Sequence, residues 1–318
     1  MIHAALLAVD LVEPFRYGFV RNGLIVAVLA GGLCGCLGVY VTLKSMSYIG
    51  HGLSHAIFGG AALGAVAGVN YFVAAGAWGL ASALAVGRVT KRKIIGSDAA
   101  IGVITTASFA LGIALKNKLP RSGKSTEALL FGSILGVSPT DVLVVAGACA
   151  FVGLVVFFRY RALLFNTFDP DVAEVSGVSG WKTEGLLMVM LAGAILACMN
   201  VLGVTLIAAT LVIPAVVARM LTSSFSTMLW LSTLLGAVAG GVGMYVSYFA
   251  DVSSGATIVL VGTAAFLVVY AATGRRGLGR VAHLAEHAAP IAQGTQPLVL
   301  VDGSTPTTSV GVSGTSGA

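Results

Sequence analysis

From Gly185 to Ala218 the chain runs 34 residues without a charged side chain. The environment that suits such a stretch is the hydrocarbon interior of a bilayer, where a helix satisfies its own backbone groups. Comparable runs recur along all 318 residues, of which 57% are hydrophobic and only 9% charged. A soluble domain carries roughly 25% charged residues. The sequence therefore predicts an all-α, polytopic membrane protein. Its 42 glycines, many inside the apolar runs, suit helices that pack by close backbone approach.

Nine spans are expected, giving a bundle of eight to nine transmembrane helices: 23–43, 51–69, 71–87, 96–115, 142–158, 185–201, 203–218, 226–250 and 256–273. The 34-residue run reads either as two short spans or as one span plus a re-entrant piece, with Asn200 and Gly203 at the turn. Between the fourth and fifth spans, STEALLFGSILGVSPTD is too short and too polar at its ends to cross, so a re-entrant or interfacial helix is expected there. Residues 1–22 read as an amphipathic lead-in. They lack a basic n-region and carry Asp10 and Glu13, which argues against a cleaved signal. Residues 23–273 are expected to form the transmembrane domain, and 274–318 a polar, Gly/Ser/Thr-rich tail expected to be largely disordered from Gly277. That tail holds His283, Glu286 and His287 at helical spacing, as in a short amphipathic helix.

The 18 basic residues sit at the ends of apolar runs. One set of alternate loops holds Lys44, Arg88, Lys91, Arg92, Lys93, Arg159, Arg161, Lys182, Arg219, Arg275, Arg276 and Arg280, twice as many as the other set. The positive-inside rule then makes those loops and the C-terminus cytoplasmic. No aromatic-interleaved basic patch is present, so nucleic acid is not an expected partner, whereas membrane lipid is. The four cysteines, Cys34, Cys36, Cys149 and Cys198, all lie in apolar runs and read as small packing residues.

Ionisable groups inside a membrane mark substrate paths. The predicted spans hold no Asp, Glu, Lys or Arg in their interiors apart from Asp98, near the start of the fourth. His51 and His55 are the only histidines of the membrane region. Four residues apart on a helix they share a face, and two neutral imidazoles can converge on one divalent cation. Gly50 and Gly52 would admit a neighbouring backbone, and Ser54 could orient a ring. The pair alone leaves two readings open, a cation site or bundle-interior histidines bonded to carbonyls. Asp98 is either an oxygen ligand or a helix-start residue.

A second feature lies in the loop between Arg159 and Lys182. FDPDVAEVSG places Asp169 as N-cap, Pro170 at the first helical position, Ala173 and Glu174 on the helix and Gly177 as its stop. A compact capped helix between two spans suits docking to a motor protein.

At these places the sequence resembles the permease subunits of bacterial ABC importers for zinc, manganese and iron, over about residues 10 to 273. The second-span motif of that family, approximately Met-Ser-x-x-Gly-Asp-x-Ile/Leu-Ser-His-Ala, is followed by Met46, Ser47, Gly50, Leu53, Ser54, His55 and Ala56. Phe168, Asp169, Pro170, Ala173 and Gly177 follow its coupling loop, and SDAAIGVI, LLFGSIL, LVIPAVVARML and SYFADVSSGATIVL match further segments in order. The sequence departs from the family at His51, where an Asp is usual.

The resemblance implies the type II ABC importer permease fold in the bacterial cytoplasmic membrane. It implies divalent metal as cargo, with no permanently bound cofactor, and a metal path holding His55 and the position of His51. Implied partners are a cytoplasmic ABC ATPase dimer, an extracytoplasmic metal-binding protein, and a second permease copy or related permease. The chain has no G-x-x-x-x-G-K-[ST] motif, so ATP hydrolysis belongs to a partner. Two alternatives are a permease for iron chelates or cobalamin, in which the His pair has no ligand role, and a secondary transporter. The latter would need intramembrane acidic groups and inverted repeats, neither of which is seen.

Overall fold

The computed structural model describes residues 13–91, 97–116, 130–132 and 137–292. The chain divides into two units, Met1–Ala272 and Thr273–Ala318. After a 3-10 turn at Glu13–Arg16 come α1 (Gly18–Leu43), α2 (Ser47–Ala67), α3 (Tyr71–Lys91), α4 (Ser97–Lys116) and α5 (Pro139–Phe168). They are followed by α6 (Pro170–Val175), α7 (Gly180–Leu202), α8 (Ile207–Leu221), α9 (Phe225–Ala250) and α10 (Ser254–Ala292). Among the described residues every regular element is helical.

Each of the nine expected spans corresponds to one of these helices. Seven are long and apolar enough to cross a membrane, while the apolar stretches Ala99–Leu115 and Ile207–Leu221 are shorter. At 1.5 Å per residue, α8 covers only about 22 Å, less than the ~30 Å of hydrocarbon. Its start is completed by other segments. Gly203 turns the chain with φ 77° and ψ 151°, and Thr205 donates from both its amide (3.1 Å) and its hydroxyl (2.6 Å) to the Leu130 carbonyl. A Cβ on Gly132 (φ +80°) would collide with the Val201 carbonyl, and one on Gly255 with that of Leu202. Ser254 closes the group by donating to the Val201 carbonyl at 2.9 Å. The break between α7 and α8 is thus satisfied by chain rather than by lipid, the condition for irregular backbone at membrane depth. Asn200, expected at this turn, lies in the last turn of α7. Most of the segment expected to be re-entrant lies outside the described residues.

At the centre, α1 packs against α5, α7, α8 and α9. Its closest partner is α9, because Gly31 and Gly236 each leave room for the other's carbonyl and Gly240 does the same for that of Ala27. Ser232 then donates to the Gly35 carbonyl at 2.6 Å. The apolar side chains of α5 that have no helix beside them, Leu143, Leu154, Phe157 and Phe158, face outward. Cys34 and Cys198 are buried, Cys36 and Cys149 half-buried, and all four are free thiols.

Helices also begin earlier or run further than hydropathy suggested. α1 starts at Gly18, inside the expected lead-in. α5 continues ten residues past 158 through Arg159 and Arg161, with one non-helical residue at Arg159 (φ −107°, ψ 15°). α10 continues to Ala292, through part of the stretch expected to be disordered and through positions 283, 286 and 287. Residues 1–12 and 293–318 lie outside the described residues.

The start of α5 is fixed by a capping box. Ser138 accepts from the Asp141 amide at 3.3 Å, and the Ser138 amide donates to the Asp141 carboxylate at 2.9 Å. Pro139 occupies the first helical position. Ser138→Ala is expected to cost about 1 kcal/mol, read as a lower thermal unfolding midpoint of the detergent-purified protein with transport retained.

Candidate functional site

α2 is brought up to α4 by glycine. A Cβ on Gly52 would lie 2.5 Å from Ile101 Cγ2 and 2.9 Å from Thr105 Cγ2, and one on Gly59 would strike the Ser108 carbonyl. On the opposite side, Gly50 faces Ala208 and Leu211 of α8. A cavity of ≈ 360 Å³ opens between α2 and α4. His51 and His55 line it together with Tyr48, Thr105, Thr106 and Phe109.

The two imidazoles converge. Nε2 of His51 and Nε2 of His55 are 3.0 Å apart, with ring centroids 4.3 Å apart and planes at 86°. His55 is held from the other side by the Phe109 ring, centroids 4.2 Å apart. His51 is exposed and His55 half-buried. The pair is under-satisfied in hydrogen bonds. One Nε2 must donate to the other, and His55 Nδ1 is buried without a hydrogen-bond partner. A buried polar atom in that condition costs roughly 1–3 kcal/mol.

At 3.0 Å the two Nε2 atoms are close enough for one divalent cation to contact both. Among the described residues no group of three or more His, Cys, Asp or Glu is arranged to hold a metal. The cavity offers two imidazole nitrogens from this chain.

The other expected site residues fall as follows. Asp98 lies in the first turn of α4, the helix that walls the cavity, and its side chain is outside the described residues. Ser54 does not orient a ring: its hydroxyl donates to the His51 carbonyl at 2.8 Å, inside its own helix. Phe109, Thr105 and Thr106 were missed by sequence reading, because they reach the site from α4 across a tertiary contact.

The capped helix is present as α6. Asp169 accepts from the Val172 amide at 3.0 Å. At its other end Val178 N–H bonds to the Ala173 carbonyl (2.9 Å) and Gly177 N–H to that of Glu174 (3.1 Å), with Gly177 at φ 78°. This is a Schellman closure, which favours glycine at the left-handed position. Ala173 is fully buried and fixes α6 to the bundle, while Glu174 and Val175 are exposed, Val175 at 91%. Val172 is also exposed, so α6 presents two apolar side chains three residues apart, a feature visible in the sequence but not singled out from it. Lys44, at the α1–α2 corner, donates to the carbonyl of Asn166 at 3.2 Å, three residues before Asp169. Partial burial pushes its pKa below the usual lysine range, with the Glu184 carboxylate opposing.

A larger cavity of ≈ 740 Å³ lies between α1, α5 and α9, but no His, Asp or Glu lines it. The smaller cavity is the one lined by histidines. A bundle of long apolar helices enclosing a histidine-lined cavity has the architecture of a membrane transport protein. The chain belongs to the ABC 3 transport family, whose family model matches residues 16–273. It is 35% identical over 266 residues to the manganese transport system membrane protein MntC of Halalkalibacterium halodurans, covering 84% of this chain and 91% of the relative. It is 33% identical over 261 residues to a "Probable iron transport system membrane protein" of Haemophilus influenzae, covering 82% and 96%. The structure of PsaBC from Streptococcus pneumoniae in complex with Fab superposes with a TM-score of 0.75 at 32% identity, over 82% of this chain and 94% of that one.

Proposed function

We propose that the chain is the membrane-spanning subunit of an ATP-driven importer of a divalent transition metal, and that His51 and His55 form the ion's station in the path. The observation that carries this is the pair of Nε2 atoms 3.0 Å apart at the mouth of the α2–α4 cavity, exposed on one side and braced by Phe109 on the other. The relatives named for manganese and iron transport support the cargo class. Two ligands per chain suit an assembly in which a second permease, the same or related, brings its own ligands to a shared path. They also suit release, since a full protein cage would hold the ion too firmly to pass it on. With nitrogen where the family usually has a carboxylate, the site carries less negative charge and leans toward zinc or ferrous iron over the harder manganese ion.

The remaining partners follow from the same reading. The loops rich in Lys and Arg, and α6 with them, face the cytoplasm, where a separate ABC ATPase dimer presses on α6. An extracytoplasmic metal-binding protein delivers the ion to the opposite end. No resident cofactor is needed, the metal being cargo.

The test is uptake of radioactive zinc, manganese and iron by proteoliposomes holding the whole transporter, with wild-type ATPase or one unable to hydrolyse ATP. Uptake that requires hydrolysis is expected. Uptake that continues with the inactive ATPase and follows an ion gradient would identify a secondary transporter instead.

A further inference from the structure

Behind the corner that joins α6 to α7 lies a pocket of ≈ 250 Å³ that the transport path does not use. Arg159 and Lys182 line it, with Gly177, Val178, Ser179 and Thr183. Ala162 and Leu186 complete the wall, so the lining is half apolar and carries two cations. Two positive side chains thus share one pocket. The start of α7 adds to them: Ser179 is its N-cap residue, which puts the positive end of the helix dipole at the pocket. Arg159 itself sits at the one non-helical residue of α5.

The surroundings identify the kind of anion. Immediately before Arg159 on α5 are Phe157 and Phe158, 78% and 72% exposed, and immediately before Lys182 is Trp181, also exposed. A third cation, Arg88 of α3, lies over the Trp181 ring at 5.9 Å. Exposed aromatics beside basic residues mark the level where acyl chains give way to headgroups. A pocket of ≈ 250 Å³ is also below the roughly 300–1,000 Å³ that encloses a nucleotide- or drug-sized ligand. Basic pockets between helices at this level bind phospholipid headgroups.

We infer that the Arg159–Lys182 pocket holds the phosphate of an anionic phospholipid headgroup, and that the lipid braces the α6–α7 corner. The inference rests on the orientation proposed above, which places this end in the cytoplasmic leaflet. Because Gly177, Val178 and Ser179 form one wall, an occupant stiffens the connection through which α6 would move α7.

The experiment uses the complete transporter, wild type and Arg159→Gln/Lys182→Gln, in vesicles of phosphatidylcholine alone or mixed with phosphatidylglycerol. Native mass spectrometry of the purified complex reads retained phosphatidylglycerol, and metal-stimulated ATP hydrolysis reads the consequence. In the wild type, retention and several-fold stimulation by phosphatidylglycerol are expected. In the double variant, affinity for that lipid should fall roughly 30-fold, about fivefold per basic side chain, while hydrolysis in phosphatidylcholine stays at the wild-type level. Single variants, each keeping one cation, should lie between, which separates a lost site from a misfolded protein. Equal retention in wild type and double variant overturns the inference. So does inorganic phosphate replacing the lipid's effect, which makes the ligand a soluble anion. Loss of ATPase co-purification with lipid retention unchanged overturns it too, and assigns the pocket to the ATPase interface. Lipid retention does not depend on metal transport, so a failure of the importer reading leaves this result to stand or fall separately.

Discussion

His55→Ala is expected to lower metal uptake by the assembled transporter at least roughly tenfold, with the protein still inserted and associated with its ATPase. Even residues that only orient a metal ligand change affinity by about 10–100-fold when replaced, and His55 supplies one of the two nitrogens that face each other at 3.0 Å. Removing it also empties the space against Phe109. His55→Gln, which keeps most of the volume and a polar end but not the imidazole, should therefore be equally poor in transport and closer to wild type in thermal stability. Uptake by His55→Gln at the wild-type rate would leave His55 a packing residue.

Val175→Asp is expected to uncouple the machine without disturbing the fold. Val175 is 91% exposed at the end of α6, so the new carboxylate is fully solvated in the isolated permease and unfolding should be unchanged within about 0.5 kcal/mol. In a docked complex that same side chain would enter a partner's groove. Burying an unpaired charge at a central interface position costs 2 kcal/mol or more, roughly 30-fold in affinity. Co-purification of the ATPase and metal-stimulated hydrolysis should fall together. If both persist, α6 is a surface helix with no partner.

The i, i+4 spacing of His51 and His55 places both on one helix face, so the convergence of their rings was legible in the sequence. So was α6, because Asp169, Pro170 and Gly177 act locally: each requirement is met within a few residues. What lay beyond the sequence depends on which helices meet. Nothing near Phe109 or Thr105 indicates that α4 closes the cavity, since that depends on Gly52 and Gly59 admitting α4 against α2. Ser54 was misjudged because a helical serine has a carbonyl of its own helix within reach, and it takes that of His51. Helix ends were misjudged where charge was taken as a stop. Arg159 and Arg161 are compatible with helix, and a helix can continue past its apolar run as α5 does. The short α8 was legible as a short apolar run, but its completion by Leu130, Gly132 and Ser254 was not, because those residues are distant in sequence.

The central claim is that this histidine pair selects the ion, and His51→Asp tests it most directly, because it restores the carboxylate usual at that position. Wild-type and His51→Asp transporters would be compared in identical proteoliposomes supplied with manganese and zinc together, and the ratio of the two metals taken up would be measured. A ratio shifted toward manganese in His51→Asp is the predicted result. An unchanged ratio at undiminished total uptake would contradict the claim and place selection at other residues.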